Sequence, residues 1–354
     1  MRDSAHKIVL FLLVCCLVVS GCAQTHSVLR YNVNDAQPQV WPSEPEKPRY
    51  RYVGELTGEQ NILNDSKERS FGSKLLGWLT GLVTGKRKPT VLQRPQGVYV
   101  DQAGRIYISD VSRSAVYVFN ETEGTLDVWD MAGKNIRFMT PVGMTEDSSG
   151  DLLVVDADLG YVVRLNQQGQ PVGKFGKGLF KRPTGIAYDA VKGRIFVADT
   201  HENNIKIFDE AGNLLDTLGE FGNQEGQFNS PTYLVYRDEQ LYVTDTLNSR
   251  IQIFSASGDY IRSIGKRGLY VGDLPRPKGV AVDQDNNIYV VESYYDYLLV
   301  FSDKGEFLLP IGGTGSGVGE FYLPAGVCTD QRNRVYVADA FNGRVVILQY
   351  LGAA

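Results

Sequence analysis

The sequence predicts an all-β fold, a six-bladed β-propeller of four-stranded blades closed by its N-terminal strand. Three observations carry that prediction. A proline recurs at Pro95, Pro141, Pro183, Pro231, Pro277 and Pro324, at spacings of 46, 42, 48, 46 and 47 residues. An acidic residue keeps step with it at Asp110, Asp156, Asp199, Asp245, Glu292 and Asp339. Between these landmarks each unit of ~45 residues holds four short β-branched and aromatic runs separated by turns, the pattern of a propeller blade. In the fifth unit the runs are residues 279–283, 288–291, 297–301 and 307–311. Helical periodicity is absent from these units, which excludes the helical solenoids of similar period.

Taken in order, the first element is a targeting segment over residues 1–21. Arg2 and Lys7 precede an apolar stretch over residues 8–19, too short to span a bilayer, which takes ~20 apolar residues. It ends in Val19-Ser20-Gly21-Cys22, which resembles a bacterial lipobox, where cleavage precedes a cysteine that is then lipidated. The resemblance implies a membrane anchor at Cys22. Because Ala23 follows instead of Asp, it also implies sorting to the outer membrane in a diderm host, on its periplasmic or surface face. Cys15 and Cys16 leave with the leader, so Cys328 is the one thiol left and no intramolecular disulfide is expected.

Residues 22–48 are polar and carry Pro38, Pro42, Pro45 and Pro48, which reads as a flexible tether. The propeller is expected over residues 49–354. Its last unit stops after a third strand, near Gln349, and residues 51–58 have the character of the missing fourth. That N-terminal strand therefore completes blade six and leaves only short, protected edges. The connection over residues 57–93 is longer than the others and places Leu75, Leu79 and Leu82 at helical spacing, with Trp78 alongside. An amphipathic helix here would cap the propeller, or meet a membrane surface or a partner groove.

The repeat units resemble NHL repeats. Pro277-Lys-Gly-Val-Ala-Val-Asp283 before Ile288-Tyr-Val-Val-Glu292 carries the likeness, as does Pro183-Thr-Gly-Ile-Ala-Tyr-Asp189 before Ile195-Phe-Val-Ala-Asp199. Two units depart from the pattern: blade four has Tyr233 where glycine is usual, and blade five has Glu292 for aspartate. The resemblance implies partner binding. RNA binding, known for some eukaryotic members, fits poorly with a secreted chain of net charge −5.

For function, composition excludes more than it selects. At 43% hydrophobic and 22% charged residues the chain is a folded protein. It has 3 histidines, of which only His201 follows Val91, so a histidine zinc site like that of the peptide-amidating lyases cannot form in the repeats. The recurring acidic residues read as turn acceptors, since a catalytic site would not repeat in every blade. Glu146, on the innermost strand of blade two, is a weak candidate for a hard cation of the gluconolactonase type or for channel chemistry. No catalytic residue and no cofactor is assigned. The asymmetric feature is the turn of blade five, with Tyr294, Tyr295 and nearby Tyr297, flanked by Arg250, Phe341 and, further round, His201. Tyrosine with arginine is the composition of a surface for protein, peptide or glycan ligands, although the rings could instead pack on neighbouring loops. The expected role is an extracytoplasmic, membrane-anchored scaffold of the cell envelope. The alternative is a small-molecule or glycan hydrolase or lyase acting in the central channel.

Overall fold

A computed structural model describes residues 27–31, 39–64 and 90–352. Six antiparallel sheets form the blades, and the first five run outward from the axis in chain order. Blade one comprises Pro95–Val100, Arg105–Asp110, Ala115–Asn120 and Thr125–Trp129. Blade two spans Pro141–Glu146 to Pro171–Phe175 and blade three Pro183–Asp189 to Leu214–Leu218. Blade four spans Pro231–Arg237 to Tyr260–Ile264 and blade five Pro277–Val282 to Phe307–Gly312. Blade six contains Val327–Thr329, Arg334–Asp339 and Arg344–Tyr350, and its fourth strand is Tyr50–Leu56 from the other end of the chain. That strand pairs from Val345↔Leu56 to Tyr350↔Tyr50, so the ring closes as the sequence predicts.

The core is a set of six junctions between blades, and side-chain alternation explains them. In the second strand of blade five, Ile288 and Val290 pack toward blade four while Tyr289 and Val291 pack toward blade six. Both faces of such a strand are covered, hence the continuous apolar runs. Blades six and one meet through Leu56, Tyr336, Val345 and Ile347 against Ile106, Ile108 and Phe119. Each junction buries a comparable cluster, so stability is spread around the ring. Near the axis the backbones come closer still. A Cβ on Gly97 would lie 2.1 Å from the Val142 carbonyl oxygen, and one on Gly326 would lie 2.4 Å from that of Gln96.

Part of the expected tether is docked. Ser27–Leu29 pairs with Ile62–Asn64, and Val40–Trp41 adds a fifth strand to blade six. The apolar residues of this otherwise polar segment account for the difference. Leu29 and Tyr31 pack on the junction of blades six and one, and Trp41 packs on that of blades five and six. The Tyr31 hydroxyl donates to Glu121, which also pairs with Arg334 at 2.6 Å.

The recurring carboxylates are clips. Asp110 accepts the N–H groups of Gln93 and Arg94 at 2.6 and 3.0 Å through one oxygen. Its other oxygen accepts those of Ser112 and Arg113, both at 3.0 Å. The loop entering a blade is thus tied to the turn after its second strand. Asp156 repeats this with Met139, Thr140, Asp158 and Leu159, and Glu292 with Arg276, Tyr294 and Tyr295. Asp110→Ala leaves four N–H groups without their acceptor and is expected to cost about 3 kcal/mol in urea unfolding. The exposed Glu225→Ala should change stability by less than about 0.5 kcal/mol. Equal midpoints for the two variants would refute the clip.

Candidate functional site

The two mouths of the ring differ. One is built from the turns between first and second strands, and it opens into a cavity of about 950 Å³. Glu146, Tyr99, Asp101, Arg105, Tyr188 and Cys328 are among its lining residues. Glu146 stands at the end of the innermost strand of blade two. Burial pushes its carboxyl above the usual range, the charge of Asp101 adds to this, and Arg105 offsets part. Its acidic neighbours are engaged elsewhere. Asp101 holds Arg105 at 2.7 Å and the Tyr107 hydroxyl at 3.1 Å, while Asp147 pairs with Arg164. Among the described residues no group of three or more His, Cys, Asp or Glu side chains gathers to hold a metal ion. Burial pushes the Cys328 thiol up, away from the reactive thiolate. His201 lies on the opposite face, after Asp199, so it can serve no nucleophile in this cavity.

Tyr233 closes the far end of the cavity. Its ring crosses the axis from blade four and its hydroxyl donates to the Gln96 carbonyl of blade one at 3.1 Å. Beside it the channel narrows to a void of about 50 Å³ lined by Gly97, Gly143, Gly185 and Gly326. The other blades need glycine here for close approach. Blade four uses the same position to fill the space the glycines leave.

The other mouth carries the aromatic residues. The turns after the second strands and the loops entering the blades share this face, because the clips join them. Tyr294 is 60% exposed and Phe341 51%, and both lie on it. Tyr295 is half-buried and meets Tyr294 edge to face, with ring centroids 4.8 Å apart. Phe341 meets Tyr322 in the same way at 5.6 Å, and the Arg94 guanidinium lies over the Phe341 ring.

Two predicted surface residues belong to the scaffold instead. Arg250 donates to Asp245 at 2.8 Å and to the carbonyls of Gln224 and Gln227, so its guanidinium is committed to a clip. Arg344 does the same in blade six and adds Glu55 of the closing strand at 2.8 Å. Tyr297 opens the third strand of blade five and packs into the junction with blade four. His201 is exposed on the aromatic face but away from the blade-five rings. Cys22, Leu75, Trp78, Leu79 and Leu82 lie outside the described residues.

Sequence reasoning missed the most exposed part of this face. Leu269, Tyr270 and Val271, in the loop entering blade five, are 79%, 82% and 51% exposed, and Phe221 in the preceding loop is 68% exposed. The signal was an apolar tripeptide between Gly268 and Gly272, where a loop should be polar.

A sequence profile described as a 6-bladed beta-propeller matches residues 225–294 and 278–350, and one for the NHL repeat matches residues 92–119 and 180–208. The chain is an NHL-repeat six-bladed β-propeller. Over 129 residues this NHL propeller is 29% identical to Protein brain tumor of Drosophila melanogaster, covering 35% of the chain and 12% of that protein. It thus spans about an eighth of the length of the curated relatives it matches. An auxiliary nutrient binding protein from Bacteroides thetaiotaomicron has a TM-score of 0.60 at 9% identity, over 74% of this chain and 71% of that one. XC5397 from Xanthomonas campestris, described as a gluconolactonase, has a TM-score of 0.55 at 17% identity, over 73% and 86% of the two chains. At these identities the likeness is one of fold.

Replacing the plug tests the separation of the two mouths. Tyr233→Gly should open a continuous channel, visible in a crystal structure, and lower stability by about 3 kcal/mol through the lost ring and hydrogen bond. A channel that stays closed would mean that another group seals it.

Proposed function

We propose that the chain is a lipid-anchored, extracytoplasmic platform that binds a protein or peptide partner of the cell envelope on its aromatic face. The observation that carries this reading is the one-sided placement of exposed aromatic residues, since exposed aliphatic side chains such as Val191 and Val172 also occur elsewhere on the molecule. Tyr270, Leu269, Phe221, Tyr294, Leu247 and Phe341 are all more than half exposed and all lie in loops of that face. Exposed apolar area is costly to keep unless a partner covers it, and aromatic side chains carry most of the energy of such contacts. Anchoring at Cys22 would hold the face in the envelope, at the outer membrane of a diderm host. The nutrient binding described for the Bacteroides neighbour is compatible with a binding role.

A second reading rests on the 950 Å³ cavity with the perturbed Glu146 at its wall. It would accept a small molecule or glycan, and the gluconolactonase neighbour suits it. The scattered engagement of Asp101 and Asp147 leaves Glu146 without co-ligands among the described residues, which ranks this reading second.

Crosslinking in cells followed by purification discriminates the two. Tyr294→Ala with Phe341→Ala should cut recovery of a specific envelope partner by about tenfold or more, a loss of at least ~1.4 kcal/mol, and Glu146→Gln should leave it unchanged. The opposite pattern, or a hydrolytic or lyase activity abolished by Glu146→Gln, would replace the first reading with the second. Cys22→Ser should move the chain from the membrane to the soluble fraction. Membrane retention of that variant would refute the lipid anchor.

A further inference from the structure

We propose that the throat of the aromatic face, at Lys278 with Arg94 and Arg276, is a binding site for the carboxylate of a peptide ligand. The inference rests on the platform reading and names the chemistry of its centre. Lys278 directly follows the proline that opens blade five, at the axis end of its innermost strand. The equivalent residues in blades three and four, Thr184 and Thr232, bond the threonine just after each clip, Thr200 and Thr246, both at 2.7 Å. These positions therefore ring the top of the channel, above the Tyr233 plug.

Lys278 differs from its equivalents by carrying a charge without a partner. It is mostly buried, and among the described residues its ammonium makes no hydrogen bond and no ion pair. Burial, followed by the positive charges of Arg276 and Arg94, pushes its pKa below the usual lysine range. Neither arginine forms a direct ion pair among the described residues, although the charge of Glu292 acts on Arg276. Arg276 spends two donors on the hydroxyl and carbonyl of Ser293 at 3.1 and 2.6 Å, and Arg94 rests on the Phe341 ring. The nearby clip carboxylates are saturated. Glu292 accepts three backbone N–H groups and Asp110 four.

Lys278 and the two exposed arginines repel one another, and the oxygens of Glu292, the carboxylate whose charge acts on Arg276, are taken by backbone N–H groups, so an anion entering the throat relieves the repulsion. The surroundings favour an anion attached to a peptide over a free one. Tyr294 follows the Ser293 that Arg276 holds, and Phe341 lies under Arg94, so aromatic rings flank the charges. A carboxylate seated on Lys278 would let neighbouring apolar side chains of the same peptide lie on those rings.

The test is calorimetric titration of the lipidated chain in detergent micelles with defined probes. Acetyl-hexaglutamate amide presents side-chain carboxylates only. Acetyl-Ala-Ala-Leu-Tyr with a free C-terminus presents a main-chain carboxylate, and its amide presents none. At least one carboxylate probe should bind, and which of the two binds assigns the source. Lys278→Gln should weaken that binding by about tenfold or more, while Lys278→Arg stays within about threefold. Several results would overturn the site: no binding of either carboxylate probe below about 5 mM, equal binding of the amide, or unchanged affinity in Lys278→Gln. Displacement of the bound probe by single-stranded oligouridylate at lower concentration would also overturn it, in favour of nucleic acid. Failure of the platform reading looks different. Wild-type chain that binds a carboxylate probe but captures no envelope partner refutes the platform and keeps the throat. Partner capture that survives Lys278→Gln, with no probe binding, refutes the throat and keeps the platform.

Discussion

The buried carboxylate at the end of each blade's second strand is the interaction on which the aromatic face depends. A propeller loop is short of intrinsic order, and its backbone N–H groups must find acceptors once it packs on its neighbours. One carboxylate supplies several acceptor sites at once, and so locks two loops to each other and to the sheet. Burial pushes Asp245, Glu292 and Asp339 above the usual carboxyl range even so. Backbone N–H groups and, for Asp245 and Asp339, Arg250 and Arg344 pull in the other direction. The consequence for binding is direct. Tyr294 and Tyr295 donate their own backbone N–H groups to Glu292, so the rings that stand on this face are carried by a fixed turn. A partner meeting them has less loop entropy to remove.

Ring closure sets the second condition. Six similar junctions close only if the axis is neither crowded nor hollow, and glycine at the innermost position satisfies the first half of that demand. Tyr233 satisfies the second half from a single blade, and it does so by bonding across the ring to Gln96. The outer edge is settled differently, by the fourth strand Tyr50–Leu56 and by Arg344, which joins Asp339 to Glu55 of that strand. The same arginine in blade four, Arg250, holds two loop carbonyls as Arg344 does but has no closing strand to reach. Its resemblance to a surface contact in the sequence comes from this shared scaffold role.

The fold was legible because its signals are periodic. Prolines, carboxylates and alternating apolar runs recur six times, and each recurrence checks the others. The closing strand was legible for the same reason, since residues 51–58 fit a vacancy that the last unit leaves. The face was harder to read because it depends on departures from the repeat. Tyr294 and Phe341 stand out by residue type alone. Tyr297 is partly buried, because it opens a strand and alternation turns it toward blade four. The plug was visible as a tyrosine in place of glycine, but nothing in one dimension says that a ring at that position spans the axis. Lys278 was hidden more deeply, since a lysine beside a proline reads as solvated until the ring of equivalent positions is seen.

Net charge is a poor guide to this molecule for a related reason. The chain carries −5 overall, yet six of its carboxylates sit in clips whose oxygens are occupied by N–H groups. Screening confines any charge to about 8 Å at physiological ionic strength, so a ligand at one mouth responds to the groups beside it and not to the total. At one mouth those groups are Glu146, Asp101 and Asp147, with their arginines. At the other they are Lys278, Arg94 and Arg276, and Tyr233 stands between the two sets. The two ends of the channel therefore differ in the charge they present. On the proposed readings a single small ligand would not satisfy both, and the cavity and the aromatic face would be separate binding problems that one scaffold holds apart.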